Sequence, residues 1–329
     1  MLNENDTPVL EVTDLRKSFR VRRGWRKPAL ELNAVNGITL SIARGETLGI
    51  VGESGCGKST LSRMLSGVIE PTEGNFRFEG ANMMALPSGQ RQTAMRGIQM
   101  VFQSPYSSLN PRMRALETVR EPLDIHHPEL SKAELEARAM AMLAEVGIPQ
   151  ELALRYPHQL SGGQQQRIGI ARALVGEVSL VICDEPVSAL DVSVQAQVVT
   201  LLRRLQAERG LAYLFVSHDL AVVGAMSNRI AVMYLGRIVE MGAARELLAS
   251  PRHPYTRILV ESANIPDPEV ERSRETQVLA GEPPRPTDPD VGCRFAGLCP
   301  KATELCRRSR PELLTEPAGG HAVACHFPN

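Results

Sequence analysis

Two hydrophobic rhythms alternate along this chain. Val9–Val12 and Ile38–Ile42 alternate apolar with polar, and residues 74–103 alternate again, ending in Ile98–Gln103. Thr47–Val51, Leu180–Cys183 and Ala212–Ser217 are nearly continuous apolar runs. Alternation predicts strands buried on one face, and continuous runs predict strands of a sheet covered on both faces. A helical period takes over in between. Leu61, Met64 and Leu65 open one helix, Lys132–Val146 is amphipathic with Ser131 as its N-cap and Gly147 as its stop, and Gln195–Gln206 carries another. Residues 229–242 predict a closing hairpin. The elements therefore describe an α/β core with an edge sheet. A proline-rich opening, SPYSSLNP, starts a helical stretch over about 104–176, which reads as an inserted subdomain. The core ends near Gly242, and prolines become frequent from Pro251 onward.

Candidate chemistry stands at the ends of the continuous runs. After Thr47–Val51 comes Gly52, Glu53, Ser54, Gly55, Cys56, Gly57, Lys58 and Ser59, followed by Thr60, a full match to the G-x-x-x-x-G-K-[ST] phosphate loop in its strand–loop–helix setting. Such a loop wraps phosphate oxygens with backbone N–H groups, with Lys58 reaching the β/γ-phosphates and Ser59 holding Mg²⁺. Leu180–Cys183 ends in Asp184 and Glu185, and Ser188–Asp191 forms a turn just beyond. A buried strand ending in two carboxylates delivers charge to the edge of a parallel sheet where ligands bind. Ser161, Gly162, Gly163 and Gln164 form a glycine-rich turn at a predicted helix start, which offers N–H groups and a positive dipole end to an anion. Gln103 ends one strand as an amide able to ligate Mg²⁺ and orient a water. His218 ends another, on the edge where the phosphate loop and Asp184 belong. Phe19 precedes a basic loop, Arg20–Lys27, that holds Trp25. An exposed aromatic side chain there can stack on an adenine ring.

Composition narrows the partners. With 329 residues the chain can bury a sizeable core and hold more than one domain. Lys plus Arg and Asp plus Glu are 37 each, a net charge of zero, which argues against a general nucleic-acid binder. No apolar stretch approaches the ~18 residues of a membrane span, and the N-terminus carries no basic-then-apolar signal. The expectation is a cytosolic protein whose membrane role, if any, runs through a partner.

The phosphate loop, Gln103, LSGGQ (160–164), the strand ending in Asp184 and Glu185, SALD (188–191) and His218 stand in the order found in ATP-binding-cassette (ABC) ATPases, and over residues 19–218 the chain resembles that family. VFQSPYSSLNPR (101–112), YPHQLSGGQQQR (156–167), HPYT (253–256) and the cysteine-bearing tail resemble, more narrowly, importer subunits of the dipeptide/oligopeptide permease family. The resemblance implies an ABC ATPase domain over 1–242 and a permease-type C-terminal extension over 243–329. It implies that Phe19 stacks on adenine, a role for which Trp25 is the alternative. Gly52–Thr60 would bind the triphosphate, Ser59 and Gln103 would ligate Mg²⁺, and Asp184 would act through water. Glu185 would be the general base, and His218 would hold the γ-phosphate and the attacking water. Ser161, Gly162 and Gly163, with Gln164 and Asp191 beside them, would serve the nucleotide of a second subunit. Implied partners are that second ATPase subunit, two transmembrane permease subunits and a periplasmic or extracellular peptide-binding protein, with this chain on the cytoplasmic face of the membrane. Other cargoes of the same family, nickel or glutathione, stay open, as does a soluble ABC ATPase acting on nucleic acid or ribosomes.

The tail adds Cys293, Cys299, Cys306 and Cys325, spaced C-x5-C-x6-C-x18-C. Four thiols in 33 residues of a cytosolic tail favour metal over disulfide. Unlinked core cysteines are one alternative. Zn²⁺ is another, with His321 and His326 as further ligands. Cys299 precedes Pro300, all-thiolate ligation suits a [4Fe–4S] cluster, and the family resemblance points the same way, so that cluster is the expectation.

Overall fold

A computed structural model of the chain describes residues 7–21, 30–262, 284–285, 287–288, 290–315 and 320–329. The chain begins β1 (Leu10–Val21), β2 (Leu30–Ile42), β3 (Thr47–Val51), α1 (Lys58–Leu65), β4 (Glu73–Phe78), β5 (Ala81–Asn82), α2 (Ser88–Met95) and β6 (Ile98–Val101). Helices follow: α3 (Pro105–Ser108), α4 (Ala115–His126), α5 (Lys132–Glu145), α6 (Gln150–Ala153) and α7 (Gly162–Leu174). Strand and helix then alternate through β7 (Leu180–Asp184), α8 (Val192–Arg209), β8 (Ala212–Val216), α9 (Leu220–Met226), β9 (Arg229–Tyr234) and β10 (Arg237–Ala243). The tail adds α10 (Ala244–Ala249), α11 (Pro254–Ser262), α12 (Glu304–Arg308), β11 (Leu314–Thr315) and β12 (Ala322–Val323).

Two sheets form among the described residues. The antiparallel edge sheet runs β2-β1-β4-β5, and the larger sheet runs β11-β12-β10-β9-β3-β8-β7-β6. From β9 to β6 the larger sheet is parallel. Every residue of β3, β7 and β8 is buried, which is why those segments read as continuous apolar runs. A parallel sheet carries the C-terminal ends of β3, β6, β7 and β8 to one edge, so their trailing residues meet there.

Helix α5 follows its sequence pattern. Leu135, Ala139, Met142 and Leu143 are buried, and Ser131 and Glu134 form a reciprocal cap. Two features depart from the pattern. Strands β1 and β2 run 12 and 13 residues, well past the alternating segments. Their register shifts after Val12, Leu15 and Lys17. A bulge resets which side chains face inward, so alternation stops marking the strand. Within 74–103, Ser88–Met95 is helix α2 with no buried residue. A helix that buries no face carries no hydrophobic period.

The tail is built onto the larger sheet. Strand β12 pairs with β10 at Glu240↔Val323 and Met241↔Ala322. The fully buried Glu240 carboxylate accepts from the Arg252 and His253 N–H groups, each at 2.8 Å, and lies 2.7 Å from His321 Nε2. Phe295, from the tail, joins the same hydrophobic cluster as Val101, Val232 and Tyr255.

The metal expected in the tail is not supported. Among the described residues no group of three or more His, Cys, Asp or Glu is arranged to hold a metal ion, which overturns both the [4Fe–4S] cluster and the Zn²⁺ alternative. Cys293, Cys299, Cys306 and Cys325 are free and line one void of about 10 Å³ shared with Phe295, Pro311 and Phe327. Burial pushes the Cys293 thiol up to about 11 and raises Cys299 and Cys325 as well. The histidines are engaged elsewhere, His321 with Glu240 and His326 Nε2 with the Ser309 carbonyl at 2.9 Å.

Glu240→Leu leaves two buried backbone donors and His321 without their acceptor. Urea unfolding of the purified chain is expected to show a loss of about 3 kcal/mol, the cost of orphaned buried donors.

Candidate functional site

The 52–60 loop leaves β3 and enters α1, whose buried Leu61, Met64 and Leu65 fix it to the sheet. Gly52 (φ 152°) and Gly57 (φ 109°) have positive φ. A Cβ at Gly52 would stand 2.1 Å from the Met233 carbonyl oxygen, and one at Gly57 2.1 Å from that of Ala34. Only glycine fits this approach, which folds the loop backbone into a concave surface. Buried Lys58 crosses beneath the loop, with Nζ donating to the Gly52 carbonyl at 2.6 Å and the Glu53 carbonyl at 2.9 Å. Ser54, Gly55, Gly57, Lys58, Ser59 and Thr60 line a cavity of about 250 Å³. Phe19, 38% exposed, and Glu185 line it too. Gly52, Glu53 and Cys56 do not, and the Cys56 side chain turns into the core. The cavity combines an amide-lined floor, a fixed cation, the N-terminal end of a helix and an aromatic wall, which suits a polyphosphate carrying a flat ring.

Two acidic contacts close the site. Ser59 Oγ donates to Asp184 Oδ1 at 3.2 Å. Burial pushes the Asp184 carboxyl above its ordinary range, and the Ser59 hydroxyl pulls it back. A buried carboxylate beside a hydroxyl is a hard-oxygen set that a small divalent cation would stabilise. Glu185 follows with φ 50°, a left-handed conformation uncommon for a side-chain-bearing residue, which turns its carboxylate out of the strand path. Gln103 Nε2 donates to Glu185 Oε2 at 2.9 Å, and His218 Nδ1 lies 3.2 Å from Glu185 Oε1. The ends of β6, β7 and β8 therefore converge on one carboxylate, as the parallel sheet requires.

Ser161, Gly162, Gly163 and Gln164 are not among the residues lining this cavity. They open α7, where Ser161 Oγ accepts from the Gln164 N–H and Gln164 Oε1 from the Ser161 N–H. Gly162 and Gly163 face Leu190 and Val194, so this turn sits against the SALD turn and the start of α8, whose N-cap is Asp191. Trp25 lies outside the described residues.

Several cavity residues carry no motif. Leu32, Asn33 and Ala34 on β2 and Leu235 and Gly236 in the β9–β10 turn complete the wall. Tyr255, buried in α11, accepts a hydrogen bond on its hydroxyl oxygen from the Glu53 N–H at 3.0 Å. Its ring packs on Tyr234 at 4.5 Å and on Phe295 at 5.5 Å. The tail thus touches the phosphate loop directly. HPYT held the residue in view, but its spacing, about 200 positions from the loop, gave no sign of the contact.

Residues 35–188 match the family model described as ABC transporter, and residues 239–306 match the one described as oligopeptide/dipeptide transporter, C-terminal region. The chain is 48% identical over 321 residues to the oligopeptide transport ATP-binding protein OppF of Salmonella typhimurium, covering 96% of this chain and 95% of that protein. It is 43% identical over 327 residues to the dipeptide transport ATP-binding protein DppF of Haemophilus influenzae, covering 99% of each. Among solved structures, the dimeric post-hydrolysis state of the ATP-binding cassette MJ0796 bound to ADP and Pi is similar, with a TM-score of 0.64 and 30% identity over 72% of this chain and 99% of that one.

Tyr255→Phe removes one hydrogen bond to the phosphate loop and keeps the aromatic packing. Titration with a fluorescent ATP analogue is expected to show affinity weakened about three- to tenfold, the worth of one such bond, with the melting temperature lowered by no more than about 4 °C.

Proposed function

This chain belongs to the ATP-binding-cassette transporter family, in its oligopeptide/dipeptide branch, and on that premise we propose that it is the subunit whose ATP hydrolysis powers peptide import through a membrane transporter. The observation that carries the reading is the convergence of Gln103 and His218 on Glu185 at the mouth of the phosphate-loop cavity. Phosphoryl transfer asks for positioning and charge neutralisation more than covalent chemistry, and this arrangement offers both.

The residues divide the work as follows. Phe19 stacks on the adenine ring, while the 52–60 backbone and Lys58 hold the phosphates. Ser59, Asp184 and the amide oxygen of Gln103 would hold Mg²⁺, which when bound neutralises phosphate charge. Glu185, held from two sides by Gln103 and His218, takes the proton of the attacking water as general base. His218 orients that water and the γ-phosphate.

Ser161, Gly162 and Gly163 act in trans, on the nucleotide of a second cassette, with Gln164 and Asp191 beside them. Their absence from this chain's own cavity supports that role, and so does the dimeric assembly of the similar solved cassette. We place the ATPase domain at 1–242, its helical subdomain at about 104–176 hinged at Gln103, and the extension at 243–329. A groove lined by Val68, Met100, Phe102, Glu121 and Arg172 lies where the sheet meets α4 and α7, and it supports docking of a transmembrane permease subunit there. No helix among the described residues is long and apolar enough to cross a membrane. On the family membership, the chain is placed as a peripheral subunit on the cytoplasmic side, with two permease subunits and a peptide-binding protein completing the importer.

Glu185→Gln keeps the side chain's size and shape and loses the base. Reconstituted with its partners, the variant is expected to bind ATP normally and to hydrolyse it about 10²- to 10⁴-fold more slowly. Near-normal turnover in liposomes would refute the assignment.

Ser161→Arg separates own-site from partner-site roles. The isolated chain is expected to keep its ATP affinity while the assembled transporter loses hydrolysis and peptide uptake. Lys58→Ala, in contrast, is expected to weaken ATP binding by the isolated chain. Equal loss of binding in both variants would contradict a shared site.

A further inference from the structure

A second cavity, of about 440 Å³, lies in the seam where the tail covers the edge sheet and the β9–β10 hairpin, and it shares no lining residue with the phosphate-loop cavity. Its lining is rich in arginine. Arg16, Arg237, Arg294 and Arg310 line it. The Asp290 carboxylate beside them serves three of the four guanidiniums. Its Oδ2 accepts from Arg237 Nη2, from Arg310 Nη1 at 3.1 Å and from Asn36 Nδ2 at 3.0 Å, and its Oδ1 accepts from Arg294 Nε at 3.4 Å. Arg16 pairs with Asp14 at 2.8 Å and with Glu73 at 3.7 Å. The remaining carboxylate on the lining, Glu312, is exposed. Four guanidiniums thus meet four carboxylates, of which Asp14, Glu73 and Glu312 are exposed to solvent.

Two donors at this wall are left over. Arg237 Nε and the Tyr234 hydroxyl are buried with no hydrogen-bond partner among the described residues, although Tyr234 is only 3% exposed. Burial pulls the Arg237 guanidinium below its ordinary value in spite of Asp290. Buried donors without partners are costly and uncommon in native structures. Around them the wall is apolar, with Ile238, Val239, Phe295, Leu313 and Ala324. A pocket of this kind, with a greasy wall and a few convergent cationic donors, recognises an anionic head on an apolar body.

We propose that this seam is a binding site for a small organic anion, a carboxylate or a phosphate carried on an apolar or aromatic body, taken up independently of the nucleotide. The guanidinium forks match either oxyanion in two-point geometry. A ring or aliphatic chain fills the wall formed by Phe295 and Val239.

Isothermal titration of the full chain, with its phosphate loop saturated by Mg·ADP, tests this with three probes. N-acetylphenylalanine offers a carboxylate, phenyl phosphate offers a phosphate, and N-acetylphenylalaninamide is the neutral control. At least one anion is expected to bind saturably at one site per chain, about tenfold or more tighter than the amide. The anion that binds identifies which oxyanion the site prefers. Arg310→Gln, at a half-exposed guanidinium, is expected to weaken that binding about tenfold or more while the melting temperature stays within about 3 °C. Thr39→Trp, at the exposed mouth, gives the same test by filling the space if Arg310→Gln does not fold. Three results would overturn the proposal: no saturable heat from either anion up to about 20 mM, equal affinity for the amide, or anion binding that neither substitution weakens.

Discussion

The site depends on how tightly the phosphate loop is pressed between two neighbouring strands. At Gly52 and Gly57 the loop backbone runs so close to the Met233 and Ala34 carbonyls that no Cβ fits. That approach turns the loop's amides toward the cavity and threads Lys58 beneath it, with Nζ tied to two loop carbonyls. A polyphosphate cradle made of backbone is rigid because it borrows the stiffness of the sheet, and it needs no side-chain entropy to be spent on binding.

The carboxylates take their geometry from the same sheet. Asp184 is the last residue of β7 and is buried, so it stays in the strand direction and meets Ser59 across from it. Glu185 leaves that direction through a left-handed turn and is caught between Gln103 and His218. One strand end thus supplies two carboxylates in different surroundings. The desolvated one suits a metal, and the less buried one suits proton transfer.

The tail is more than an appendage to this machinery. Glu240 anchors it through three donors, β12 extends the sheet, and Tyr255 reaches the Glu53 amide of the phosphate loop. Tyr234 packs on Tyr255 on one side and lines the arginine-rich seam on the other. A change in the seam has a route of contiguous aromatic packing to the loop, two contacts long. The four cysteines sit beside this aromatic cluster as free thiols around one small void, Cys306 buried and the other three half-buried.

The amino-acid sequence alone determined the local elements whose cause is local. The loop 52–60 declares itself because glycine spacing, Lys58 and Ser59 are contiguous. The buried strands β3, β7 and β8 declare themselves because coverage on both faces demands unbroken apolar runs. Helix α5 did so through its cap and period. Only the tertiary structure decided what depends on distant residues meeting. The bulges of β1 and β2 erased alternation, and α2 buries no face, so neither left a periodic signal. The Tyr255 contact with Glu53 joins residues about 200 positions apart, and the three guanidiniums on Asp290 come from β10 and two separate parts of the tail. Cysteine spacing suggested a metal because spacing carries no distances. Folding instead set the four thiols among apolar side chains, with no group of three or more ligands arranged for a metal ion among the described residues.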